Sequence, residues 1–172
     1  IADALVKAIE TGGPEEAAWL GAELARNRVS IPAAMQRLIA TAESDPTVVP
    51  SLVKQVSQAD DLPEAAVPLL IRVTADKTLD HDTRNFAIAA LCKVDSGEAV
   101  DAILRGFTIS AGGNEYWLAR NAFRDHPFLA KHHRLLVAAA ARDDGTSRIA
   151  EEALVKLAAN VLAPPHVRGE LH

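Results

Sequence analysis

Residues 62–94 read LPEAAVPLLIRVTADKTLDHDTRNFAIAALCKV, and this stretch decides the fold. Pro63 stands where a helix opens, because proline at the first helical position gives up an N–H that would have no intrahelical partner. Pro68 lies inside the same segment, 63–76, and predicts a kink or a late helix start. After Asp76 the chain turns, and a second helix is expected over 82–94 with Asp82 as a suitable N-cap. In it Phe86, Ala87, Ala90, Leu91 and Val94 fall at i, i+1, i+4, i+5 and i+8, one side of a helix. The unit is two helices joined by a polar turn.

The unit recurs in both directions. Moving Phe86-Ala87 and Ala90-Leu91 forward by 32 residues lands on Leu118-Ala119 and Ala122-Phe123, and by 63 on Ile149-Ala150 and Ala153-Leu154. Moving back by 34 gives Leu52-Val53 and Val56, and by 66 gives Leu20-Gly21 and Leu24. Such a period, two helices per unit, marks an α-solenoid, in which no pair buries its own apolar face and neighbours stack to complete the core. Helices are expected over 2–10, 14–28, 30–44, 50–58, 63–76, 82–94, 97–108, 114–124, 127–142 and 146–162. No strand alternation with hairpin chemistry interrupts them. The expected fold is all-α: a right-handed α-solenoid of stacked antiparallel helix pairs, about nine or ten helices forming one domain over 1–163. Residues 164–172 read as a C-terminal tail, and the sparse ends, with Ile1 in place of Met, predict that the native chain continues.

Composition agrees with that architecture. The 172 residues are 49% hydrophobic and 24% charged, which excludes a disordered chain and supports a true core. Aromatics are only 4%, while alanine is frequent, as closely stacked helices require. A net charge of −5 disfavours a general nucleic-acid surface. The single cysteine, Cys92, excludes an intrachain disulfide and fits a reducing, cytoplasmic or nuclear setting. The longest uncharged apolar run, 135–141, is far short of a membrane span.

Stretch 62–94 resembles a HEAT repeat. It has a proline-bearing first helix, an Asp-containing turn, and Arg84 opening a second helix that carries Ala89-Ala90-Leu91. Stretch 133–157 is a looser copy with Asp143-Asp144, Arg148 and Ala153-Leu154. The resemblance implies stacked repeats whose second helices line a concave surface. Segment 14–46, with Trp19-Leu20-Gly21 and Asp45-Pro46, has a tetratricopeptide flavour, but it lacks that spacing and no later unit repeats it.

No constellation carries catalysis. His81-Asp82 matches the dipeptide of HD-type phosphohydrolases, yet residues 1–80 hold no histidine to complete a metal site, and the pair sits in a turn. His126, His132 and His133 form the one histidine cluster; in a helix opened by Pro127, His132 falls on the apolar stripe and reads as a core histidine. HEAT-repeat hydroxylases carry His-Glu pairs, and none exists here. Gly12-Gly13 and Gly112-Gly113 are helix punctuation, and Cys92 reads as a half-buried structural thiol. No cofactor, metal or catalytic residue is expected.

The expected working surface is the second-helix face. Aligning the units gives the rows Trp19, Ser51, Asn85, Trp117, Arg148; Ala22, Lys54, Ile88, Arg120, Glu151; and Glu23, Gln55, Ala89, Asn121, Glu152. Both tryptophans share one row off the apolar stripes, and Trp117 has Arg120, Asn121 and Arg124 at i+3, i+4 and i+7. Trp and Arg dominate binding hot spots, so Trp117, Arg120, Asn121, Arg124, Trp19, Asn85, Ile88 and Arg148 are the expected partner-binding residues. The expected partner is a protein or peptide, with no membrane involved. Two alternatives stand: a nucleic-acid module, since HEAT-like alkylpurine DNA glycosylases line a groove with Trp, Arg and Asp, or a regulatory domain of a larger enzyme, as in bilin lyases. On the first helices Arg37, Arg72, Arg105 and Arg134 read as a solvated row, with Asp76 and Asp101 placed to pair with Arg72 and Arg105.

Overall fold

The structure, a computed structural model, describes residues 32–59, 62–110 and 112–162, backbone only at 32–34, 161 and 162, and single positions among 4–23. The helices expected over 2–10 and 14–28 lie largely outside the described residues, as does the tail. Among the described residues every regular element is helical and no strand occurs. No helix among them is long and apolar enough to cross a membrane.

Proline and short polar side chains set the helix starts. Helix α1 (Pro32–Ser44) buries Met35, Leu38, Ile39 and Ala42, the i, i+3, i+4, i+7 stripe of an amphipathic helix. A single 3-10 turn, Pro46–Val48, leads into α2 (Val49–Gln58). Before α3 (Val67–Ala75) a second 3-10 turn, Glu64–Ala66, takes up the residues after Pro63, so Pro68 marks a late start and no kink. Helix α4 (His81–Leu91) is capped by Asp80, whose carboxylate accepts the Thr83 N–H at 2.8 Å and the Thr83 hydroxyl at 2.6 Å. Asp82 is therefore not the N-cap. It reaches across the fold, accepting the Glu115 N–H at 3.1 Å just ahead of α6 (Tyr116–Arg124). Helix α5 (Gly97–Ile109) starts at the Ser96 cap.

The stretch after Pro127 departs furthest from expectation. Residues 127–132 form successive tight turns, with Leu129, Lys131 and His132 donating to the carbonyls three residues back, and α7 (His133–Ala140) begins only afterwards. The last helix, α8 (Thr146–Leu162), has its expected bounds.

The helices contact one another in two layers. Helices α2, α4, α6 and α8 each touch the next of that set, and α3, α5 and α7 do the same. The layers meet through α1 with α2, α3 with α4, and α7 with α8. Leu52, Leu70, Ile88, Leu91, Ile103, Leu104, Phe123 and Leu136 are fully buried members of one continuous apolar cluster between them. Phe107 meets Tyr116 and Phe123 edge-on, at 6.1 and 5.7 Å between ring centroids.

One turn recurs within the pairs. Asp45 accepts the N–H of Thr47 at 2.9 Å, Asp76 that of Thr78 at 2.8 Å, and Asp144 that of Thr146 at 2.8 Å. Asp45 and Asp76 are 31 residues apart, and Asp76 and Asp144 are 68, twice 34. Midway, at 110, a serine donates instead to the His81 carbonyl at 3.2 Å and to Asn85 Oδ1 at 3.0 Å. Arg84, buried beside the Asp76 turn, donates to the carbonyls of Asp76, at 3.2 Å, and Leu79, and contacts His81 Nδ1 at 3.0 Å. It braces the turn from inside.

Candidate functional site

From residue 51 onward the expected binding rows lie on the even-numbered helices, and the structure divides those rows by burial. Trp19 and Trp117 are 62% and 61% exposed, among the most exposed large hydrophobic residues described. Asn121, Arg124 and Arg148 also face solvent, and Arg120 is partly exposed. Asn85 and Ile88 do not belong to that surface: both are completely buried.

Their burial has a local cause. Helix α4 is hidden on nearly every side, with residues 83–85 and 87–91 all buried. Asn85 donates to the Gly112 carbonyl at 2.8 Å and accepts from Ser110, so it ties α4 to the loop before α6. Ile88 lies against Gly106 of α5, where an added Cβ would come within 3.1 Å of its Cδ1. Residues 81–85 of α4 are all polar, so nothing in the sequence marks Asn85 as buried, and the apolar run 86–91 is consistent with the burial of Ile88 without deciding it. Gln55 and Ala89, in the third row, are buried as well.

Around Trp117 the expected neighbours do come together. The Arg120 guanidinium lies over the indole, 5.0 Å from the ring centroid. It is held there by Glu152 of α8, whose two carboxylate oxygens accept from Nε, at 2.9 Å, and from Nη2. Arg148 also reaches Glu152, Nε to Oε1 at 3.5 Å. Those hydrogen bonds, from Arg120 first, hold the Glu152 carboxyl below its usual range. A second group sits one turn away: Asp125 accepts from Lys156 of α8 and lies 3.5 Å from Arg124 Nε. Lys156 is the main cause holding the Asp125 carboxyl low. Between α6 and α8, Arg120, Arg124, Arg148, Glu152 and Lys156, with Glu151, Val155 and Ala159, line an open groove of about 630 Å³, with Trp117 and Asp125 just outside its lining. Sequence reasoning missed Val155, which is 70% exposed, and Lys156; they follow Glu152 at i+3 and i+4 on α8. Trp19 belongs to a stretch of which only single positions are described, so the site is built on Trp117.

Elsewhere the chemistry-bearing residues serve the fold. His81 contacts Arg84, and Asp82 holds the entry to α6. Among the described residues, no three of His, Cys, Asp and Glu converge as metal ligands would. Among the described residues the buried histidine is His126, not His132. Its Nδ1 accepts the Phe128 N–H at 3.1 Å, and its ring meets the edges of Phe123 and Phe128. His132 is only partly covered and pairs with Asp95 at 3.2 Å. Because 127–132 is a series of turns, the helical stripe drawn from Pro127 never reaches residue 132. Cys92 is fully buried, beyond the half-burial expected, and desolvation pushes its thiol far above the ordinary range. Arg37, Arg72, Arg105 and Arg134 are all exposed; Arg105 pairs with Asp101 at 2.6 Å, while Asp76 serves Thr78 and not Arg72.

Comparison with family models, with curated proteins and with solved structures finds no match to this chain.

Proposed function

We propose that this chain is a HEAT-like helical-repeat segment that acts as an interaction scaffold and carries no catalysis of its own. In this reading the two layers of helices form a right-handed α-solenoid, and a partner protein or peptide docks on the concave side lined by α2, α4, α6 and α8. The recurring Asp–Thr turn and the layer-by-layer helix contacts support the architecture. The observation that carries the function is Trp117: a large aromatic surface left open to solvent, with Arg120 stacked on it and clamped by Glu152. An indole offers a large apolar contact area, and an arginine already fixed in position loses little further freedom on binding.

A photo-crosslinking amino acid placed at Leu118, and separately at Arg72 on the other layer, tests this in cells. Adducts with a defined partner are expected from position 118 and are expected to vanish with Trp117→Ala. Adducts from position 72 that ignore Trp117 would sink the reading. A second reading, a nucleic-acid module, draws on the four cations of the α6–α8 groove. Salt-sensitive binding of a labelled duplex, lost with Arg148→Glu, would favour it instead.

A further inference from the structure

The groove between α6 and α8 has a charge balance opposite to that of the molecule. The whole chain carries −5. In the groove Arg120, Arg124, Arg148 and Lys156 face Glu151, Glu152 and neighbouring Asp125, four cations against three carboxylates. The arrangement matters more than the count. Glu152 is shared by Arg120 and Arg148, and Asp125 by Arg124 and Lys156. Each trio of two cations around one carboxylate carries one surplus positive charge, and Glu151 offsets one of the two, so the groove keeps a small net positive charge.

The two trios differ in how firmly they are made. Arg120 is engaged through two hydrogen bonds and stacked on Trp117, so it has little left to offer a ligand. Arg148 touches Glu152 only through Nε at 3.5 Å, and its side chain is 82% exposed. Arg124, with its 3.5 Å contact to Asp125, is half exposed. The available positive charge therefore lies at Arg148 on one side and at Arg124 with Lys156 on the other. Trp117 and Val155 supply exposed apolar surface beside them.

We propose that this groove receives an acidic peptide segment, with carboxylates for Arg148 and for the Arg124–Lys156 pair and apolar side chains against Val155 in the groove and Trp117 at its edge. The inference rests on the scaffold reading above and names the chemistry of the partner. Charge complementarity selects the occupant. Two separated groups of cations around a small net positive charge suit spaced side-chain carboxylates, whereas a continuous phosphate backbone would also meet Glu151, Glu152 and Asp125 in a molecule of net negative charge. An apolar peptide would leave the cations facing a surface that gives them no counter-charge.

Selection of a random dodecapeptide library on the full chain tests the proposal, followed by fluorescence anisotropy with the enriched peptides. Peptides carrying Asp or Glu beside Leu, Phe or Trp are expected. Their affinity is expected to fall about tenfold or more in the Arg148→Glu, Lys156→Glu double variant, and to weaken with salt. Asn and Gln replacements in the peptide should lose as much. Circular dichroism of the variants confirms that they fold. Neutral or basic peptides that bind and are lost with Trp117→Ala would overturn the acidic preference while leaving the scaffold reading standing. Peptides indifferent to Trp117 and to the groove would sink both. No enrichment over a blank surface, or tighter binding of a labelled duplex through Arg148 and Lys156, would also overturn the inference.

Discussion

Single residues show how polar side chains are used when buried. Gln55 is 2% exposed in α2, and neither its Oε1 nor its Nε2 has a hydrogen-bond partner. An unsatisfied buried amide costs free energy that an apolar side chain of similar size does not. Gln55→Met is therefore expected to raise stability by about 1 kcal/mol or more, read as a higher urea midpoint; a lower midpoint would show that the amide has a partner in solution. His126 is the other case. Burial holds its imidazole neutral and draws its pKa down to about 4, with His132 adding to the effect and Asp95 opposing it. The unfolded chain takes up this proton near pH 6.5, so between that pH and about 4 it binds more protons than the folded one. Stability must then fall as the pH drops through that window, by at most about 3 kcal/mol from this group. His126→Phe is expected to lose less stability between pH 7 and pH 5 than the wild type. Equal losses would remove His126 from the acid response. Nothing in the sequence separated His126 from His132, since the distinction rests on where α7 begins.

At the scale of elements, prolines and Asp-based turns made most boundaries legible. Pro32, Pro50, Pro63 and Pro68 each sit in or just before a first turn, where the missing N–H has no helical partner to forfeit. Pro127 is the exception, because His126 takes the Phe128 N–H and successive three-residue turns follow. The cap of α4 was placed two residues late: Asp80 and Asp82 are chemically alike, and only the geometry assigns Thr83 to one and Glu115 to the other. Asp80→Ala should cost about 1 kcal/mol in chemical denaturation. An unchanged midpoint would mean that Asp82 can take over the cap.

For the molecule as a whole, the aromatic poverty of the sequence reflects its construction. Alanines such as Ala87, Ala90, Ala119 and Ala153 are buried where helices pack, and the few phenylalanines divide. Phe107 and Phe123 are in the core, while Phe86 and Phe128 stand at its margin under Lys54 and Lys131, 5.7 and 5.3 Å from the ring centroids. The overall acidity likewise hides a local reversal, in the α6–α8 groove. That helical class, the helix-pair period and the company Trp117 keeps were all written in the sequence follows from their local origin. Periodicity, proline placement and i+3 or i+4 neighbours are properties of one helix at a time. Which members of a row reach solvent was decided by the tertiary structure. Asn85 and Arg148 fall in one row of the sequence alignment, yet one is sealed by Ser110 and Gly112 and the other is open, because burial depends on how neighbouring elements close over each helix. The pairing of Arg120 with Glu152, 32 residues apart, belongs to the same category. It exists only once α8 lies beside α6.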